Sequence, residues 1–238
     1  MLEIQETLPI KGMRKAMVKR MDQSATVPLH YQGMYIDVTE LLSFRKKFNA
    51  ENNVKCSLND FIVKAVGLSL KKAPMMNAAL HYDENGNKDS ILVYESCNVS
   101  VMTASKKGLM APVIKDADKK SVIEISEEMK GMVERADAGK LTMDDISEGT
   151  FGLTNIGKLN SFDSVPRPFP PQGSIMTACT AKKMPVVITD ENGEDKIVIR
   201  TMMKIVTGSD HRITDGVPLA VFMNSMKDLL ENPNSLID

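Results

Sequence analysis

The sequence contains no tryptophan, only three histidines and only three cysteines among 238 residues. Aromatic residues amount to 5%, so the interior must be filled by aliphatic side chains and by 18 methionines. Flexible thioethers fit irregular gaps and can also serve as adaptable surface contacts. Cys56, Cys97 and Cys179 are odd in number, widely spaced and without a CxxC pair. That argues against a disulfide framework or a thiolate metal site, and for reduced, buried thiols. Neither sign of charge is in excess: 30 basic residues face 31 acidic ones, for a net charge of −1. Binding to nucleic acid or anionic lipid would therefore need a local basic patch. Long apolar runs are missing too. No stretch approaches the roughly 18 to 20 uninterrupted apolar residues of a membrane span, and the N-terminus lacks a secretory core, so a cytoplasmic protein is expected.

What is present is enough for a sizeable core, with 42% apolar residues. The one basic cluster, KGMRKAMVKRM from Lys11, sets five cations around Met13, Met17 and Met21 at helical spacing, and reads as a solvated helix face after an arm of residues 1–10. Helices are predicted behind the capping pairs Asp37/Glu40, Ser57/Asp60 and Ser121/Glu124, the second ending at Ala73-Pro74. A last helix runs from about Val217 to Asn232 and is closed by Pro233. YDENGNK (82–88) and TDENGED (189–195) place Asn-Gly where hairpins need φ > 0. Further strands are predicted over 98–104, 150–154, 174–180, 184–189 and 196–206. Helices and strands alternate, yet the hairpins demand antiparallel pairs, so the expectation is an α/β fold with a mixed sheet covered by helices. SVPRPFPPQG (164–173) reads as a rigid extended loop, and nothing resembling a linker divides the chain; a single domain over 1–238 is expected.

GSDHRITDGVP (208–218) carries His211 at a junction between an apolar, β-rich run and the last helix, where side chains are held firmly yet reach a cleft. Three readings compete from the residues alone. His211 could be a satisfied loop histidine, with Asp215 a helix cap. The two could be metal ligands, although no second histidine or cysteine stands nearby at ligand spacing. Or His211 is a general base, with Arg212 and Asp215 in structural ion pairs.

SDHRITDG resembles the DHRxxDG signature of the acyltransferase (E2) components of 2-oxo acid dehydrogenase complexes, which share their catalytic fold with chloramphenicol acetyltransferase. NDFIVKAVGLSLKKAPMMNA (59–78), KKGLMAPVIKDADKKSV (106–122), GKLTMDDISEGTFGLTNIG (139–157), PPQ near 170 and LLENP near the C-terminus follow in the family's order and spacing, from about Lys11 to Leu236. No lipoyl-domain segment, peripheral-subunit-binding domain or Ala/Pro-rich linker is found, so the likeness is to the catalytic core alone.

The resemblance implies a two-layer chloramphenicol acetyltransferase-like fold and acyl transfer between the thiols of dihydrolipoamide and coenzyme A. His211 would be the base and Thr154 the oxyanion donor from an adjacent subunit. Asp215 would pair with Arg14 to hold the loop, and Asn155 and Gly157 would lie near substrate. An imidazole suits a thiol, because pKa values of about 6.5 and 8.5 make the proton transfer inexpensive. Acetyl is favoured over succinyl from the segment around Pro28, although Thr154-Asn155 leans the other way. No metal is implied. Homotrimers, assembling further to 24 or 60 chains, are implied, with lipoyl delivery and contacts to the E1 and E3 components made through domains outside this core. Leu236 and Ile237 are candidates for an apolar knob joining trimers. A silent structural core, or an acetyltransferase acting on a small-molecule acceptor, remain the alternatives. His30 in VPLHYQG stands one place after the family's frequent Pro-His, and His30 and His81 are both expected to be structural.

Overall fold

The computed structural model describes residues 2–106 and 108–237, with Met13 described by its backbone alone; Lys107 of the 106–122 block lies outside the described residues. Among the described residues, five α-helices and ten strands follow one another along the chain. They are α1 (Gly12–Ala25), β1 (Leu29–Asp37), α2 (Thr39–Glu51), α3 (Leu58–Lys72), β2 (Ala78–Tyr82), β3 (Lys88–Val93), β4 (Val99–Ser105), β5 (Gly108–Met110), β6 (Val113–Ile114), α4 (Val122–Ala138), β7 (Phe151–Asn155), β8 (Ser174–Ala178), β9 (Lys182–Thr189), β10 (Asp195–Asp210) and α5 (Gly216–Glu231).

Two of the three predicted capping pairs form, and the Asp37/Glu40 pair does not. Ser57 and Asp60 at the head of α3, and Ser121 and Glu124 at the head of α4, each make the reciprocal pair that satisfies orphan N–H groups. Asp37 works differently: its Oδ1 accepts from both the backbone and the hydroxyl of Thr39. At the other end of α4, Gly139 takes a left-handed φ of 67°, so that Lys140 N–H can reach Arg135 O at 2.8 Å. α3 is buried on almost every side, which is why its sequence shows apolar residues all around and not one stripe. Its Lys64 reaches out of the core to the Asp118 carbonyl at 2.6 Å, and burial pushes its ammonium pKa down.

Eight strands form one mixed sheet in the order β1-β10-β8-β7-β4-β5, with β6 on β4 and β9 on β10. β7 lies parallel to both β4 and β8, and every other pair is antiparallel. The hairpins are β2–β3 and β9–β10, with Gly86 and Gly193 both at φ 80° in their turns. Each turn is held the same way: Asp83 or Asp190 accepts two following backbone N–H groups.

Three strands have no counterpart in the sequence pattern: the short β5 and β6, which pair with β4, and the long β1. β1 runs antiparallel to β10 at the sheet edge, with Met34 and Ile36 turned to the core and Tyr31 and Tyr35 to the other face. Its outward tyrosines and its central Gly33 hide the alternation that would mark a half-buried strand. β10 also continues four residues beyond its expected end, to Asp210. It spends its first half pairing with β9 and its second half between β1 and β8.

The core lies between this sheet and helices α2 to α5, with Phe61, Phe151, Phe222, Leu41, Ile125 and Met176 fully enclosed. All three cysteines are buried; burial raises the Cys97 thiol to about 12. Leu236 is 1% exposed and belongs to this same core, so it is no exposed knob; only Ile237 remains at the surface. α1 stands apart, with Met17, Val18 and Met21 all partly exposed. Among the described residues no helix is long and apolar enough to cross a membrane.

Candidate active site

His211 occupies the first position after β10, in a turn that leads into α5. The turn is built by its neighbours. Asp210 is buried, and its carboxylate accepts from Arg212 Nε at 2.9 Å, from Arg212 Nη2 at 2.6 Å and from the Arg212 backbone N–H at 3.0 Å. The carboxylate holds the guanidinium charged, raising its pKa further. Ile213 and Thr214 N–H groups donate to the Asp210 carbonyl, and His211 N–H donates to Pro28 O at 2.9 Å. Arg212 is thus in the structural ion pair expected of it.

Asp215 is not. Its Oδ1 accepts from Val217 N–H at 3.2 Å and caps α5. No ion pair joins Asp215 to Arg14 among the described residues; Arg14 lies exposed on α1. The loop is therefore supported within the chain by the Asp210–Arg212 pair and the cap. His211 itself is exposed, and its ring packs against that of His30, centroids 4.5 Å apart and planes inclined by 46°. Sequence reasoning leaves His30 as structural because it stands one place after the family's frequent Pro-His pair, and β1 goes unrecognised. The signal that would have placed it is the ladder, in which His30 pairs with Ser209 two residues before His211.

Thr154 sits on β7 inside the sheet, beside Met102 of β4 and Thr177 of β8. Leu153 and Phe151 point into the core, which turns Thr154 to the opposite face, half-buried. Its hydroxyl has no hydrogen-bond partner among the described residues, and neither does the buried hydroxyl of neighbouring Thr177. Asn155 and Gly157 shape the end of the strand. Asn155 Oδ1 accepts from Gly157 N–H at 2.8 Å and its Nδ2 donates to Asn59 Oδ1 at 3.1 Å. A Cβ at position 157 would lie 3.0 Å from Asn155 Oδ1, so glycine keeps this turn closed.

The segment leading into β7 is anchored by Asp145, which accepts from Arg135 at 2.5 Å and from Thr142 N–H and hydroxyl at 2.8 and 2.9 Å. The Arg135 guanidinium, ahead of the Thr142 donors, holds the Asp145 carboxyl at about 2, below its ordinary 3.8. A depressed folded-state value stabilises the fold above pH 3.8, and that contribution fades as pH falls toward 2. Asp145→Asn is expected to cost about 1 kcal/mol at pH 7, the exposed side of Arg135 screening part of the pair, and to flatten the loss of stability between pH 4 and 2. Urea unfolding at several pH values measures both.

The two groups do not meet in one chain. Thr154 is level with Thr177 and, through it, with Val206 of β10. Two strand spacings and five residues of β10 then separate Thr154 from His211, on the order of 20 Å. No cluster of three or more His, Cys, Asp or Glu side chains that would hold a metal ion forms among the described residues.

Residues 3–237 match the family described as 2-oxoacid dehydrogenases acyltransferase (catalytic domain). The chain belongs to that family. The dihydrolipoyllysine-residue acetyltransferase component of the pyruvate dehydrogenase complex of Rickettsia prowazekii is 34% identical over 234 residues, 95% of this chain and 54% of that protein. The chain thus spans about half the length of the curated relatives it matches. A probable dihydrolipoamide acetyltransferase from Listeria monocytogenes, known by crystal structure, superimposes with a TM-score of 0.86 at 30% identity, covering 96% of this chain and 95% of its own. Chloramphenicol acetyltransferase, at 12% identity and a TM-score of 0.51 over 89% of this chain and 94% of its own, shares the fold only. Within this acyltransferase family fold, the turn bearing His211 and the strand bearing Thr154 belong to one sheet, and each is rigidly supported.

Proposed function

We propose that the chain is a dihydrolipoamide acyltransferase that moves an acyl group, acetyl in our reading, between dihydrolipoamide and coenzyme A as the core of a cytoplasmic 2-oxo acid dehydrogenase complex. One observation carries the proposal: an exposed imidazole and an unpartnered hydroxyl, both on firmly built turns or strands, stand about 20 Å apart in one chain. A second copy of the chain is what can bring them face to face. In this reading His211 of one protomer faces Thr154 of the next, in a homotrimer that can assemble further to 24 or 60 chains. The lipoyl group and the E1 and E3 partners are engaged through other domains.

The chemistry then follows from the two groups. A ring nitrogen of His211 takes the proton of the coenzyme A thiol as its sulfur bonds to the thioester carbonyl carbon of the acylated lipoyl group. The carbonyl oxygen becomes an oxyanion, which the Thr154 hydroxyl stabilises by donating a hydrogen bond. Collapse breaks the bond to the lipoyl sulfur, and that sulfur recovers the proton from His211. Asn155 and Gly157 shape the floor beside the hydroxyl.

The test is an assay of free dihydrolipoamide with acetyl-, succinyl- and branched-chain acyl-coenzyme A, combined with sedimentation analysis. Acetyl transfer by a particle whose mass is a multiple of three chains is expected. Assembly without turnover on any of the three would replace this reading with that of a structural core.

A further inference from the structure

A general base must aim one nitrogen lone pair along the path of the proton, and an imidazole free to rotate about its two side-chain bonds does not. The usual orienting device is a hydrogen bond from the other ring nitrogen to a carboxylate or carbonyl. His211 has none: its ring nitrogens make no hydrogen bond among the described residues. Of the two acids in the motif, Asp215 spends its Oδ1 on the cap of α5, and Asp210 is occupied by Arg212.

What does touch the His211 ring is the ring of His30, at 4.5 Å between centroids, within the range of attractive aromatic pairs. His30 is itself tightly placed. Its backbone is locked into the β1–β10 ladder opposite Ser209. Its Cε1 faces the start of α5, where a Cβ built at position 216 would lie 3.7 Å away, an ordinary contact distance, so the ring sits beside the head of that helix. The His211 N–H is bound to Pro28 O, two residues upstream on the same segment. Backbone and side chain of His211 are thus both held by residues 28–30, at the start of β1.

We infer that His30 is the positioning residue for His211, fixing the plane of the base by ring-to-ring packing. The inference rests on the reading of His211 as the base. It uses the packing of the tilted His30 ring and no proton on it, so a carbocyclic ring of similar size does the same work.

The test compares His30→Ala and His30→Phe in the intact oligomer, each in the native and the His211→Ala background. His30→Ala is expected to lower kcat roughly tenfold while KM for coenzyme A stays within about twofold, and His30→Phe to recover most of the loss. In the His211→Ala background His30→Ala has no further effect, because it acts only through the base. Should alanine weaken the β1 edge, as an unfolding midpoint would show, His30→Leu keeps the bulk without the ring and is read in its place. Native turnover in His30→Ala, failure of phenylalanine to recover it, or an equal further loss on top of His211→Ala would each overturn the inference. Native turnover in His211→Ala alone sinks the assignment of the base instead, so the two failures are separable.

Discussion

Replacement of His211 by alanine is expected to slow acyl transfer to coenzyme A by about 100- to 10,000-fold, the range that one positioned general base supplies. The loss belongs in kcat and in kcat/KM together, since in the proposed mechanism the imidazole takes its proton in the transition state and contributes little to holding either substrate. The fold should not suffer. His211 is exposed and its side chain donates and accepts no hydrogen bond among the described residues, while the turn is held by Asp210, Arg212 and the backbone of Pro28. The measurement is steady-state transfer from acetyl-coenzyme A to dihydrolipoamide, with unfolding midpoint and particle mass as controls. A variant that turns over at the native rate in a native-sized particle rules out His211 as the base.

The second large effect is on stability. Phe222 of α5 and Phe151 of β7 are both fully buried, with ring centroids 5.1 Å apart. This contact ties the helix that begins behind His211 to the strand that carries Thr154. Phe222→Ala is expected to cost about 3–5 kcal/mol, combining lost transfer free energy with the cavity that the rigid sheet cannot collapse to fill. Denaturant unfolding should show a lower midpoint with an unchanged slope. A loss below about 1 kcal/mol would mean that α5 can move in to close the gap, and that the helix is not the fixed support described above.

Legibility differed from element to element, and the differences have physical causes. Ser57/Asp60 and Ser121/Glu124 are local devices, satisfied within one helical turn, and both form as predicted. The two Asn-Gly hairpins are equally local. β1 is not: its inward residues are Met34 and Ile36, its outward ones large tyrosines, and only the pairing with β10 makes a strand of it. Leu236 shows the same limit, because a leucine near the C-terminus reads alike whether it is free or folded back into the core, where it lies. In the candidate site, the motif SDHRITDG and the block containing TFGLTNIG point to His211 and Thr154. The His30 contact lies across 181 positions of chain and is invisible to any local pattern.

The amino-acid sequence by itself determined the caps of α3 and α4, the hairpin turns, the mixed α/β class and which groups are proposed to do chemistry, since each depends on residues within a few positions of one another or on a recurring motif. Only the tertiary structure decided that Asp215 caps a helix, that Asp210 and Arg212 hold the turn, and that His30 lies on His211. It also decided that Thr154 and His211 stand too far apart to cooperate within one chain. Those relations are set by the register of strands distant in sequence, and register follows from the packing of the whole sheet against its helices.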